Sequence, residues 1–308
     1  MFFSTGSDSI YNTCPIQWRK YGVRRRIMET SVKIYQINNG LSETEKAVRA
    51  NRESADLFFY QFIGGNASET DELSEQLYAL KNQNTLLIGI FRFPFRFEGK
   101  KRFETATAQY FRMRELCDAV IYFNSDGLLE SIDSNTTIRD AQLSFNIIEQ
   151  HAMESIKEMI DITGEMNIDF QDIQTFIRGN KGPLSVHTLE ETSFDEPLKY
   201  HVCVPYLPED FTDGTQMIVN IGYTRDTDMN AFQQINLRLH DLFSKADLFK
   251  LGSYFINEPG DQFKITLLVN GIKDPVKKPE NYKKLSKYNE FVRKIQNLTD
   301  LGKNKLKI

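Results

Sequence analysis

Cysteine is scarce in this chain: Cys14, Cys117 and Cys203 are far apart in 308 residues and form no CxxC pair. An odd, scattered set gives neither a disulfide framework nor a zinc site, so three reduced thiols in a reducing compartment are expected. Long apolar runs are lacking as well. None approaches the roughly 18 residues of a membrane span. The start, Met1 to Gly6, has no charged region leading into an apolar one, so it does not read as a secretory signal and a cytoplasmic protein is expected. There is no excess of positive charge. A net charge of −4 argues against nucleic acid as the main partner. Internal repeats and low-complexity segments are absent too.

What is present is enough for more than one small core, and 308 residues suggest two domains. Residues 1–28 hold the single tryptophan, Trp18, and a basic run Arg24-Arg25-Arg26, without clear periodicity. Val32 to Ile37 then alternates like a half-buried strand, and Ser42 to Glu53 has the pattern of a polar helix. Three short continuous apolar runs follow, Leu57–Ile63, Leu86–Phe91 and Ala119–Phe123, separated by helical stretches at 69–81 and 100–116. Such runs predict strands buried on both faces of a parallel sheet, a doubly wound α/β arrangement.

From Thr136 to Thr163 apolar side chains recur at three- and four-residue steps, which predicts one long helix stopped at Gly164. After a second short helix the pattern changes. Strands are expected at Tyr200–Tyr206, Met217–Tyr223, Tyr254–Asn257 and Phe263–Val269, around a helix at Met229–Lys245. That describes an α+β unit with an antiparallel or mixed sheet covered on one side. From Lys273 to Ile308 there are eleven Lys or Arg against four Asp or Glu, so the end is basic. A stripe of apolar residues from Tyr282 to Leu298 makes it a candidate helix, docked on the body or contacting a membrane or adaptor.

Two segments look chemical. Asn167-Ile168-Asp169-Phe170-Gln171-Asp172 places two carboxylates on the first turn of a helix, where they also suit the helix dipole, with Asn167 or Asp169 as cap. Arg92 to Arg102 follows a buried strand and carries Glu98 and Arg102 four residues apart, either lining a ligand site or forming a surface ion pair of little value. In their order and spacing the two resemble motifs of the FtsZ/tubulin superfamily. Pro94-Phe95-Arg96-Phe97-Glu98-Gly99-Lys100-Lys101-Arg102 is similar to the P-F-x-F-E-G-x-x-R stretch of bacterial FtsZ, and Asn167–Asp172 to the N-x-D-F-x-D synergy loop. Leu128-Leu129-Glu130, Gly214–Tyr223 and Phe255-Ile256-Asn257-Glu258 fit as well, so the resemblance covers about Val32 to Lys273.

The resemblance implies a tubulin/FtsZ-like fold: a Rossmann-like nucleotide-binding domain over 1–135, a central helix with synergy loop over 136–180, a two-layer α+β domain over 181–273, and a basic tail over 274–308. It implies GTP with Mg²⁺ as cofactor, no dedicated metal site of the chain's own, and head-to-tail stacking on FtsZ or a like subunit. Asp169 and Asp172, with Asn167 beside them, would act in trans on the nucleotide of the next subunit. Glu98 and Arg102 would match contacts to ribose and base, and Gly64, Gly65 and Asn146 would belong to the same nucleotide site.

The departures are as informative. The glycine-rich G-G-G-T-G-T-G signature falls on Gly65-Asn66-Ala67-Ser68-Glu69-Thr70-Asp71, where only the first glycine survives. Side chains intrude there, and Glu69, Asp71 and Glu72 put negative charge where phosphates would sit, with Ser68 expected to cap the helix. Asn146 stands where the family has the aspartate that pairs with guanine, and Gln142 where it has an aromatic stacker. Residues 1–26 hold no counterpart of the first glycine-rich loop. Two functions follow as expectations: a pseudo-GTPase that docks by its synergy loop on FtsZ-type filaments, completing a partner's site, or a divergent filament-forming protein with weak GTPase activity of its own. A scaffold without nucleotide chemistry, working through the basic tail, is the third.

Overall fold

The computed structural model describes residues 32–38, 55–81, 84–191, 204–280 and 282. The stretch around Trp18, the expected helix at 42–53 and the tail stripe beyond Tyr282 lie outside these residues, as do Cys14 and Cys203. The body, up to Pro275, is one compact unit.

The three apolar runs form parallel strands: β2 (Leu57–Ile63), β3 (Leu86–Phe93) and β4 (Ala119–Asn124), with β1 (Ile34–Asn38) beside β2. Side chains along a strand alternate between faces, so each run buries both. Ile88 and Ile90 face a core shared with Phe145, Ala152 and Ile156 of the long helix α4 (Ile138–Asp161) and with Ile173 and Phe176 of α5 (Phe170–Gly179). Phe91 and Phe93 face the other way, onto Tyr110 of α2 (Lys100–Leu116) at 5.5 and 5.3 Å between ring centroids. α1 (Thr70–Leu80), which buries Leu73, Leu77 and Leu80, is the crossover between β2 and β3, and α3 (Ser125–Glu130) follows β4.

The second half extends the same sheet. Its strands are β5 (Pro183–Glu191), β6 (Gln216–Tyr223), β7 (Asp247–Phe255) and β8 (Phe263–Asn270), with α6 (Met229–Leu242) between β6 and β7. The order is β1-β2-β3-β4-β5-β8-β6-β7. β5 joins β4 in parallel through only Val120↔Pro183 and Ile121↔Leu184, then runs antiparallel to β8 along its length. β6 is antiparallel to β8 and parallel to β7, so this part is mixed.

Several expectations need correction. β5 was not foreseen, because Pro183, His187 and Thr188 interrupt its apolar pattern. β7 begins seven residues before the expected Tyr254 and ends at Phe255, short of Asn257. In the expected strand at 200–206, the described end is a turn: Leu207 N–H donates to the Val204 carbonyl at 3.0 Å. The long helix ends at Asp161 with Ile162 as its C-cap, so Gly164 does not stop it. Gly164 is instead needed for close approach, since a Cβ there would lie 2.0 Å from the Ser253 carbonyl oxygen.

After β8 the chain is anchored across the sheet. Asp274 accepts hydrogen bonds from the Tyr110 hydroxyl at 2.7 Å and from Arg114 at 2.8 Å, and Lys273 N–H donates to Asp210 at 2.8 Å. In the separate unit that begins at Val276, Lys278 stands over the Tyr282 ring at 4.4 Å. No helix among the described residues is long and apolar enough to cross a membrane.

Candidate functional site

A cleft of about 640 Å³ opens at the carboxyl ends of β1, β2 and β3, between the loop after β2 and the first half of α4. That size lies within the ~300–1,000 Å³ typical of ligand sites, and the place is where ligands sit in parallel sheets. Gln36, Gln61 and Arg92 come from the strands, Gly65, Asn66, Glu69 and Glu72 from the loop and α1, Arg102 from α2, and Asn146, Glu149 and Gln150 from α4.

Its floor is a hydrogen-bond network around one buried ion pair. Arg92 closes an otherwise apolar strand, and a buried guanidinium requires a counter-charge. Glu149, on the inward face of α4 between Phe145 and Ala152, supplies it; the two side chains are 8% and 5% exposed. Burial pushes the Glu149 carboxyl above its ordinary value, against the opposing pull of Arg92 and Gln61. Arg92 Nη2 also donates to Asn146 Oδ1 at 2.6 Å. Gln61 Nε2 donates to Glu149 at 3.4 Å, and Gln36 Nε2 donates to Gln61 Oε1 at 2.8 Å and to Gln150 Oε1 at 3.1 Å.

The loop over the cleft is held by its own groups. Fully buried Gln109 accepts from Gly65 N–H at 2.8 Å and donates to the Asn66 carbonyl at 2.6 Å and to Thr70 Oγ1 at 2.9 Å. Asn66 Oδ1 accepts from Ser68 N–H at 3.2 Å, and its Nδ2 donates to Glu69 at 2.6 Å. Glu69 N–H donates to the Asn66 carbonyl. Asn66 thus caps the short 3-10 turn Ala67–Glu69, while the N-cap of α1 is Glu69 without a side-chain cap bond, so Ser68 does not cap the helix as expected. Gly65 has φ +115°, a region that favours glycine, and a Cβ there would strike Arg102. Gly64 packs on Phe91 and Ala106, beneath the cleft. Arg102 lines the cleft but pairs with Glu98 at 2.9 Å, while Glu98 also accepts from Phe95 N–H at 2.9 Å. Asn146 lines the cleft with its oxygen already engaged.

The second cluster lies at the other end of α4. From Asn146 to Asp161 the helix axis alone covers about 22 Å, so the cleft and the Asn167–Asp172 loop occupy separate faces. Asp169 is the N-cap of α5: its Oδ1 accepts from Asp172 N–H and its own N–H donates to Asp172 Oδ2, both at 2.9 Å. Lys250, from β7, forms an ion pair with Asp172. Partial burial opposes ionisation of Asp172, but the Asp169 N–H and Lys250 outweigh it and hold the carboxyl below the usual range. Asn167 and Asp169 are exposed, and Asn167 accepts from Gly164 N–H at 3.4 Å. Beside them Tyr223 donates to Glu165, and Met166 and Phe255 are exposed apolar side chains. Among the described residues, no group of three His, Cys, Asp or Glu is placed to hold a metal ion.

Motif reading passes over Gln36, Gln61, Gln109, Glu149 and Gln150. Two of the residues involved do leave a signal: an arginine inside a buried strand and a glutamate on the apolar stripe of a helix imply each other.

No protein-family model matches the chain. It is 24% identical over 234 residues to the cell division protein FtsZ of Coxiella burnetii, covering 75% of this chain and 60% of that relative. The chain thus spans less than two thirds of the relative's length. In structure it is similar to an FtsZ dimer from M. jannaschii, with TM-score 0.62 at 17% identity over 79% of this chain and 74% of that one. It is likewise similar to CetZ2 of Haloferax volcanii in a GTPγS-bound protofilament, TM-score 0.58 at 12% identity, covering 83% and 77% of the two chains. A GTPγS-form protofilament of Bacillus thuringiensis TubZ gives 0.56 at 12% identity, covering 84% and 73%. In fold, and in the sequence it shares with FtsZ, this chain is a divergent member of the tubulin/FtsZ superfamily.

Proposed function

We propose that the chain is an FtsZ-type cytoskeletal subunit with an eroded GTP site, which docks by its Asn167–Asp172 face on a nucleotide-loaded FtsZ or like subunit and modulates assembly or hydrolysis there. The observation that carries this reading is the loop at Gly65. A phosphate cradle needs backbone N–H groups free to point at oxygens. Here the N–H groups of Gly65, Ser68 and Glu69 are spent on Gln109 and Asn66, and Glu69 and Glu72 line the space in front. The opposite face keeps an exposed carboxylate, Asp169, rigidly presented by its helix cap and by the Lys250–Asp172 pair. Two copies stacked head to tail would bring Asp169 and Glu165 toward a cleft lined by Glu69 and Glu72, and like charges repel. A partner whose cleft holds GTP with Mg²⁺ offers these carboxylates a cation in place of Glu69 and Glu72; CetZ2 and TubZ are seen as GTPγS-form protofilaments.

The test adds the purified chain to polymerising FtsZ at equimolar ratio and follows light scattering and GTP hydrolysis. Both should change, and Asp169→Ala should abolish the effect on hydrolysis. Assembly and hydrolysis that stay as they were would overturn the reading.

A second reading, a divergent GTPase that forms its own filaments, is favoured by one observation: a cleft of about 640 Å³ persists at the nucleotide side. Scattering by the chain alone, rising with GTP and Mg²⁺, would select it.

A further inference from the structure

The two carboxylates of the Asn167–Asp172 loop share one helix turn but not one environment. Asp169 is exposed, whereas Asp172 is partly buried and paired with Lys250 of β7. That pairing depends on an irregularity in the strand. Met217 of β6 lies beside Leu248 and Ile218 beside Lys250, so Phe249 is an extra residue in β7. Successive residues of a regular strand point to opposite faces, and a bulge re-aims them. Here Phe249 packs on Phe176 of α5, with 5.4 Å between ring centroids, and Lys250 reaches Asp172 at the start of the same helix. The loop is fastened to β7 by other contacts as well. Ser253 N–H donates to the Met166 carbonyl at 2.9 Å, and a Cβ on Gly252 would lie 2.5 Å from Ile168. Lys250 is thus one fastening among several, and the one that alters the charge of the face.

We infer that Lys250 restrains this face: its ammonium cancels the Asp172 charge, so the chain acts on a docked subunit through Asp169 alone. This rests on the reading that the face docks on a nucleotide-loaded partner. A carboxylate in contact with an ammonium presents a dipole rather than a net charge, and the field of a dipole dies away faster with distance. Asp172 therefore offers a partner's cation or attacking water much less than Asp169 does. A purely mechanical role for the pair has the opposite consequence. If Lys250 only braced the loop, its removal would weaken the action of the chain, whereas release of a restrained carboxylate strengthens it.

The experiment measures GTP hydrolysis by FtsZ with Mg²⁺ in the presence of the full chain, as wild type, Lys250→Met, Lys250→Arg and the double variant Lys250→Met/Asp172→Asn. Both side chains of the pair reach solvent, at 33% and 23% exposure, so the carboxylate freed by Lys250→Met is hydrated rather than stranded. That variant should increase the effect of the chain on hydrolysis about tenfold, a modest part of the roughly 10²–10⁴-fold that one positioned acid or base supplies. Lys250→Arg keeps a cation on Asp172 and should show no such gain, and the double variant should lose it. An effect that is unchanged or weaker in Lys250→Met, or a gain that survives Asp172→Asn, would overturn the inference and leave the docking reading in place. A wild-type chain without effect would overturn the docking reading. The inference then holds if Lys250→Met acquires an effect and falls if it does not.

Discussion

The Arg92–Glu149 pair joins the end of β3 to α4, and replacing one partner leaves a nearly buried charge without its counter-ion at the floor of the cleft. With side chains only 8% and 5% exposed, neither group can turn to solvent. Glu149→Met leaves a buried guanidinium with Asn146 as its remaining partner, and Arg92→Met leaves a buried carboxylate with Gln61. Each single change should cost about 3–5 kcal/mol, the usual penalty for breaking a buried pair from one side. The double replacement removes both charges together. It forfeits the bonds to Asn146 and Gln61, about 1 kcal/mol each, and leaves no ion behind. Its total cost should be about 2 kcal/mol, far below the sum of the singles. Urea unfolding followed by far-UV circular dichroism closes the cycle. Single variants that lose less than about 1 kcal/mol, or a double variant as costly as the sum of the two, would refute the view that the pair clamps α4 as a buried charge.

Two further perturbations probe the other ends of the structure. Lys250→Met should raise the Asp172 carboxyl toward its ordinary value of about 3.9, read by NMR titration; an unchanged titration would mean that Lys250 does not hold the loop. Because the folded value is depressed, the stability contributed by Asp172 is full above its unfolded pKa and is lost as pH falls through the folded one. Asp274→Ala should release Tyr110 and Arg114 and cost about 1–3 kcal/mol, with faster amide exchange in 270–275; unchanged exchange there would contradict the anchor.

Much of the fold was legible because each signal was local. Leu86–Phe91 and Ala119–Phe123 are apolar without interruption and Leu57–Ile63 is broken only by Gln61, as strands covered on both sides must nearly be. Thr137 capping α4 and Asp169 capping α5 mark helix starts that the chain announces within one turn. β5 and the first half of β7 were hidden because their pairing is with distant strands and their polar residues are satisfied only there: Thr188, for example, meets Thr266 of β8 and Ser155 of α4. The candidate site divides in the same way. The Asn167–Asp172 motif stands contiguous in sequence, whereas Arg92 and Glu149 lie 57 residues apart and Gly65 and Gln109 lie 44 apart, so their meeting belongs to the fold.

The central claim is that the loop at Gly65 is closed by its own hydrogen bonds, and calorimetric titration of the purified chain with GTP and Mg²⁺ tests it most directly. The account predicts no binding at micromolar strength. A saturable isotherm near −8 kcal/mol, the free energy of a ~1 μM complex, would mean that the loop opens to receive phosphates and that the GTP site is intact.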